Sequence, residues 1–61
     1  MKYSELTKRL RKAGCVVYRE GKGHTMWKNP LTGVLFPVPR HRTEEVPAGT
    51  LKKIMKSAGL E

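Results

Sequence analysis

The chain has 61 residues, of which 13 are Lys or Arg and 5 are acidic, giving a formal net charge of +8 at pH 7. This length fits a single small domain over residues 1–61, since folded domains usually have about 50 to 250 residues. So short a chain disfavours a deep enclosed pocket, and we expect no small-molecule cofactor. The positive charge indicates a polyanionic partner, either nucleic acid or an anionic membrane surface.

The sequence argues against insertion in a membrane. Its longest uninterrupted apolar run is residues 15–18, whereas a spanning helix needs about 20 apolar residues. The first residues lead into a charged helix, so we expect no signal peptide. One Cys and two His, with no Asp, do not make a convincing metal site. We therefore expect a cytoplasmic protein without metal and without a membrane partner.

The first predicted element is an amphipathic helix that Ser4 would cap and Gly14 would end. Its apolar residues recur at helical spacing: Tyr3, Leu6, Leu10 and Ala13. The opposite side carries Lys8, Arg9, Arg11 and Lys12. This cationic side suits either ordinary solvation or contact with phosphates.

Three strands follow, because the apolar pattern changes to β-branched and aromatic residues after Gly14. The first covers residues 15–19 and is joined to a second, over residues 24–28, by the turn Gly21-Lys22-Gly23. A second turn over residues 29–33 leads to a third strand over residues 34–39. The third strand contains two prolines, which cannot donate to a neighbour, so it should lie at an edge of the sheet.

The last element is a helix that begins around residues 47–50 and ends at Gly59, with Leu51, Ile54, Met55 and Ala58 on one side. The order is α-β-β-β-α. It predicts an α+β fold in which two helices cover one face of a three-stranded antiparallel sheet. The other face of the sheet, called the open face below, remains uncovered.

Period-two alternation assigns the strand residues to the two faces. Taking Trp27 as the anchor of the second strand, Thr25 shares its inward side. Three residues of that strand then point to the open face: His24, Met26 and Lys28. In the third strand Val34, Phe36 and Val38 should point inward and Leu35 outward.

His24 is the main candidate for a catalytic residue, since it follows a turn flanked by glycines. Glycine lets a phosphate or ribose approach the backbone closely, and Lys22 and Lys28 can hold phosphate as point charges. An imidazole exchanges protons near neutral pH. RNA cleavage through the substrate's own 2′-hydroxyl requires little beyond a base for the hydroxyl, an acid for the leaving oxygen and a cation for the charge on the phosphate. The alternative is that His24 is a surface strand residue without a role.

A second candidate lies in the loop after the third strand. If that strand pairs with the second, Arg40 or His41 could reach the open face and supply a second proton or a charge for the phosphate. The alternative is an ordinary surface loop.

Several segments together resemble the HicA family of type II toxin-antitoxin systems. They are Ser4-Glu5-Leu6, the Gly14 break, Arg19 before the turn, Gly23-His24, residues 38–41 and the ending over residues 49–60. The resemblance covers essentially the whole chain. It implies a fold like the double-stranded RNA-binding domain and a metal-independent ribonuclease that cleaves messenger RNA and is neutralised by a HicB antitoxin.

The resemblance also implies that His24 is the catalytic histidine. Two positions depart from the family pattern: Gly23 replaces the usual Ser, and Cys15 replaces a frequent aromatic residue. The first departure removes a hydroxyl that could contact phosphate.

The resulting hypothesis is an mRNA endoribonuclease toxin in which His24 acts as general acid or base. The expected RNA-binding residues are Lys22, Gly23, Lys28, Arg40 and His41. The alternative is a non-catalytic RNA-binding module that uses the same charged surface. Incubation with labelled RNA in a chelator distinguishes them, because only the enzyme produces fragments.

Overall fold

A computed structural model describes residues 1–60 and confirms the α-β-β-β-α order. Its elements are α1 (Tyr3–Lys12), β1 (Val16–Glu20), β2 (His24–Lys28), β3 (Leu35–Pro39) and α2 (Ala48–Ser57). The strands form an antiparallel sheet in the order β1-β2-β3. β3 is therefore an edge strand, as its prolines require. This is the α+β fold expected, with the arrangement of a double-stranded RNA-binding domain.

Both helices pack on the same face of the sheet and form one hydrophobic core. Its buried apolar members are Tyr3, Leu6, Leu10, Cys15, Trp27, Phe36, Val38, Val46, Ile54 and Ala58. Burying a large apolar side chain contributes about 1.5–3 kcal/mol relative to exposure. Thr25 and Trp27 are both buried, while His24 on the same strand is exposed. The alternation predicted for β2 is therefore confirmed.

The predicted cap of α1 is wrong. The helix begins at Tyr3 and its N-cap is Lys2, which makes no capping side-chain hydrogen bond. Instead, the backbone amides of Tyr3 and Ser4 donate to carbonyl oxygens in the loop before α2, at 3.1 and 3.2 Å. A capping side chain is unnecessary because this loop satisfies the first amides of the helix.

The end of α1 is partly as expected. Gly14 has φ +95°, the left-handed conformation that commonly ends a helix. Ala13, however, is the C-cap and is exposed, so its assignment to the apolar side was wrong.

Two strand boundaries also differ from the prediction. β1 begins at Val16, because the amide of Cys15 still donates to the carbonyl of Leu10 at 3.0 Å. Val34 precedes β3 and is 43% exposed, so its predicted inward orientation is wrong. Its carbonyl accepts the Asn29 amide at 2.9 Å and its amide donates to the Thr32 hydroxyl at 3.3 Å. These bonds make Val34 part of the turn.

An extra residue in β1 reverses the alternation along that strand. Val17 pairs with Trp27 and Arg19 pairs with Met26, so Tyr18 between them has no partner on β2. Such a bulge exchanges the faces of all residues beyond it. Arg19 consequently lies on the open face, and Glu20, which pairs with Thr25, lies on the helix side.

Candidate active site

His24 is the first residue of β2 and lies at the exposed end of the β1-β2 hairpin. The Gly21 amide donates to the His24 carbonyl at 2.9 Å, which closes the turn around Lys22 and Gly23. Gly23 has φ +75°, a conformation that favours glycine over other residues. Because Thr25 and Trp27 point to the core, alternation along β2 places the imidazole on the open face, next to this turn.

The imidazole of His24 lies over Gly21. A Cβ atom at position 21 would be 3.5 Å from Nε2 of His24 and 3.2 Å from its carbonyl oxygen. The missing side chain thus leaves room for the ring. His24 itself and the two turn residues before it, Lys22 and Gly23, are exposed.

The predicted phosphate-binding lysines lie at different distances from His24. Lys22 is exposed within the turn itself. Lys28 is on the same face but at the other end of β2, and four residues of strand span about 13 Å. The backbone of Lys22, two residues before His24, therefore lies closer to His24 than the backbone of Lys28 does.

Arg19 is a cation of the open face that simple alternation does not reveal. It is exposed and pairs with Met26, which is the next residue of β2 after His24 that points to the open face. Strict alternation from Val17 would place Arg19 toward the core. A charged residue at a core-facing position is itself a sign that the alternation breaks.

Arg40 and His41 lie away from the open face. The Arg40 guanidinium donates to the Gly21 carbonyl at 2.6 Å and is 3.5 Å from the Glu20 carboxylate, on the helix side. The His41 ring packs edge-on against the buried Tyr3 of α1, with centroids 5.9 Å apart, and its Nδ1 is 3.7 Å from Glu44. Although β3 pairs with β2, the structure does not bring these two side chains together with His24.

The backbone of Gly23 is also engaged. Its carbonyl accepts the Arg40 amide at 3.2 Å, so this oxygen is already bonded within the protein.

A groove of about 440 Å³ lies on the helix side between α1, the β1-β2 hairpin and the loop after β3. Its charged or titratable lining residues are Tyr3, Arg11, Glu20, Arg40, His41 and Arg42. The Arg11 guanidinium lies 5.7 Å from the centroid of the Trp27 ring. The groove is on the face opposite to His24.

The open face also presents apolar surface. Val16 and Leu35 flank Lys28 on either side and are 50% and 43% exposed. Pro37 is exposed beside the half-buried Met26. Cations and apolar side chains therefore alternate across this face.

Other possible chemical groups are accounted for by packing. Cys15 is buried, and burial raises the pKa of its thiol, which disfavours the reactive thiolate.

Within residues 1–60, no three His, Cys, Asp or Glu side chains come together to hold a metal ion. In the same range no helix is long and apolar enough to cross a membrane.

Fold and site together define a small basic α+β protein with an exposed histidine on an uncovered sheet face. The family model described as "HicA toxin of bacterial toxin-antitoxin" matches residues 3–60. The chain therefore belongs to the HicA toxin family, and membership implies an antitoxin partner. No curated protein and no solved structure shows significant similarity to it.

Proposed function

We propose that this toxin is an endoribonuclease that cleaves messenger RNA and that His24 is its general acid or base. The observation that carries the proposal is the position of His24, exposed on the open face at a turn whose neighbouring glycine leaves the ring uncovered. Family membership supports it.

The proposed reaction uses the 2′-hydroxyl of the RNA as nucleophile. One group removes the proton from this hydroxyl, and its oxygen then bonds to the adjacent phosphorus as the bond to the 5′-oxygen breaks. The departing oxygen takes up a proton, leaving a 2′,3′-cyclic phosphate and a 5′-hydroxyl. His24 performs one of the two proton transfers. DNA lacks the hydroxyl and should remain intact.

Cations near His24 would hold the RNA strand. Lys22 in the turn and Arg19 in the next row are the nearest candidates on the open face. Lys28 would contact a phosphate further along the strand, given its separation of about 13 Å. If about four phosphates are neutralised, log affinity for single-stranded RNA should fall against log salt with a slope near −3.

The partner we propose is a HicB-type antitoxin that covers the open face. The exposed Val16 and Leu35 supply apolar contact area, and the adjacent cations favour acidic residues on the partner. Co-expression with the adjacent small open reading frame should give a stoichiometric complex without ribonuclease activity. Recovery of active, uncomplexed toxin from that co-expression would contradict this proposal.

The decisive experiment compares wild type with His24→Ala on labelled single-stranded RNA in the presence of EDTA. We expect fragments from wild type and none from the variant. His24→Asn is the matched control, because it keeps a polar side chain of similar shape but cannot transfer protons at neutral pH. Cleavage by either variant at the wild-type rate would contradict the role of His24.

The alternative function is a non-catalytic RNA-binding module. The same cationic open face favours it, since binding requires no proton transfer. In the experiment above it would give intact RNA with reduced electrophoretic mobility, for wild type and His24→Ala alike.

A further inference from the structure

Arg40 bonds to the 21–23 turn, which precedes His24, and does so from the side of the sheet opposite to the imidazole. It is the first residue after β3, and its guanidinium donates to the Gly21 carbonyl at 2.6 Å. Its own backbone amide donates to the Gly23 carbonyl at 3.2 Å. One residue therefore bonds to the carbonyls on both sides of Lys22.

Glu20 completes this arrangement. Its carboxylate lies 3.5 Å from the Arg40 guanidinium and accepts the Thr25 hydroxyl at 2.6 Å, a short distance typical of a charged acceptor. Thr25 is 7% exposed and directly follows His24. The network thus joins the end of β1, the start of β2 and the end of β3.

The bulge at Tyr18 makes this network possible. Without the extra residue, Glu20 would point to the open face, away from Thr25. With it, Glu20 pairs with Thr25 on the helix side, where Arg40 also lies. The network and the imidazole of His24 consequently occupy opposite sides of the same turn.

We propose that Arg40, oriented by Glu20, is a positioning residue that fixes the 21–23 turn and hence the His24 imidazole, and that it does not bind RNA. This inference rests on the proposed ribonuclease function. The guanidinium already donates to the Gly21 carbonyl and lies 3.5 Å from the Glu20 carboxylate, which is on the helix side of the sheet. Fixing Gly21 matters because the His24 ring lies against that residue. Errors of about 1 Å in a catalytic group lower rates by roughly 100-fold.

The test compares Arg40→Met with Arg9→Met, which removes the same charge from an exposed position on α1. For Arg40→Met we expect kcat to fall about 10- to 100-fold, while KM and the Kd for RNA change less than about twofold, as they do in Arg9→Met. Arg40→Lys should recover part of kcat, since an ammonium can still donate to the Gly21 carbonyl. Glu20→Gln should lower kcat in the same direction.

Unchanged kcat in Arg40→Met, or a rise in KM and Kd at constant kcat, would overturn the inference; the second result would identify a phosphate contact. Nuclear magnetic resonance of the His24 ring and of the amides of residues 21–25 provides a second readout. We expect Arg40→Met and Glu20→Gln to shift these signals and Arg9→Met to leave them unchanged. If wild type proves inactive, the proposed ribonuclease function fails. Independently of activity, unshifted resonances in Arg40→Met and Glu20→Gln would disprove that Arg40 and Glu20 fix the turn.

Discussion

The two turns at the ends of β2 are built alike but are anchored to different parts of the molecule. In the 29–33 turn, the Asn29 side chain accepts the Leu31 amide at 3.1 Å and donates to the Ser57 carbonyl at 3.3 Å. Asn29 is only 5% exposed and connects this turn to the end of α2. In the 21–23 turn, the corresponding bonds come from Arg40, whose side chain is 41% exposed.

Because of this difference, we expect one turn to contribute to the stability of the fold and the other to catalysis. A buried polar group costs about 1–3 kcal/mol when it loses its partner, so the 29–33 turn should matter for folding. An exposed ion pair contributes little to stability, so loss of the Arg40–Glu20 pair beside the 21–23 turn should cost the fold little. We expect the 29–33 turn to affect mainly the free energy of unfolding and the 21–23 turn to affect mainly catalysis.

The largest expected effect is on catalysis at the 21–23 turn. Replacing His24 with Asn should lower kcat about 10²- to 10⁴-fold, because a general acid or base is lost. The free energy of unfolding should stay within about 0.5 kcal/mol of wild type, since the side chain is exposed. Rate measurements and urea unfolding on the same samples test both parts. A loss of stability matching the loss of rate would abolish the distinction between the turns.

The second effect is on stability at the 29–33 turn. Replacing Asn29 with Ala removes both of its side-chain hydrogen bonds and should lower the free energy of unfolding by about 1–3 kcal/mol. Urea unfolding measures this change. Activity per folded molecule should remain at the wild-type level, and a fall in kcat under conditions where the variant is fully folded would contradict the comparison.

The third prediction uses a matched pair of glycines. Gly23 and Gly33 have φ +75° and +77°, and a Cβ atom at either position would meet nothing within 4 Å. Gly23→Ala and Gly33→Ala should therefore each destabilise the protein by about 1–2 kcal/mol through left-handed backbone strain. Only Gly23→Ala should lower kcat, because only Gly23 adjoins His24. Equal kcat values in the two variants would show that the conformation of the 21–23 turn does not matter for activity.

The smallest effect lies outside both turns. Gly49 is in the first turn of α2 and does not have a positive φ, and a Cβ atom there has open space. Gly49→Ala should stabilise the protein by about 0.4–1 kcal/mol through the unfolded chain and helix propensity. Thermal unfolding measures it, and kcat should be unchanged. A destabilised Gly49→Ala protein would contradict this account of α2.

The pattern of the sequence predicts most of the fold because it reflects local rules. Helical spacing identified α1 and α2, and Gly14 and Gly59 both have the left-handed φ expected after a helix. The prolines of β3 identified the edge strand. The errors occur where contacts with distant backbone replace a local signal. At the start of α1, carbonyls of the loop before α2 accept the amides of Tyr3 and Ser4, whereas the sequence predicted a cap by the Ser4 side chain.

For the candidate site, the sequence located His24 and its face of the sheet but not its surroundings. Alternation correctly separated His24 from Thr25 and Trp27. It did not predict the bulge at Tyr18, which carries Arg19 to the open face and Glu20 away from it. The positions of Arg40 and His41 depend on the path of the loop after β3, which no local pattern specifies.

By itself, the sequence determined the order of the elements, the basic charge, the exposed histidine beside a glycine turn and the resemblance to the HicA family. These properties depend on residue type and on spacing within single segments. Only the tertiary structure decided which cations accompany His24 and that Arg40 bonds to the back of its turn. Those outcomes depend on strand register and on contacts between residues about 20 positions apart, where a shift of a single residue exchanges the two faces of the sheet.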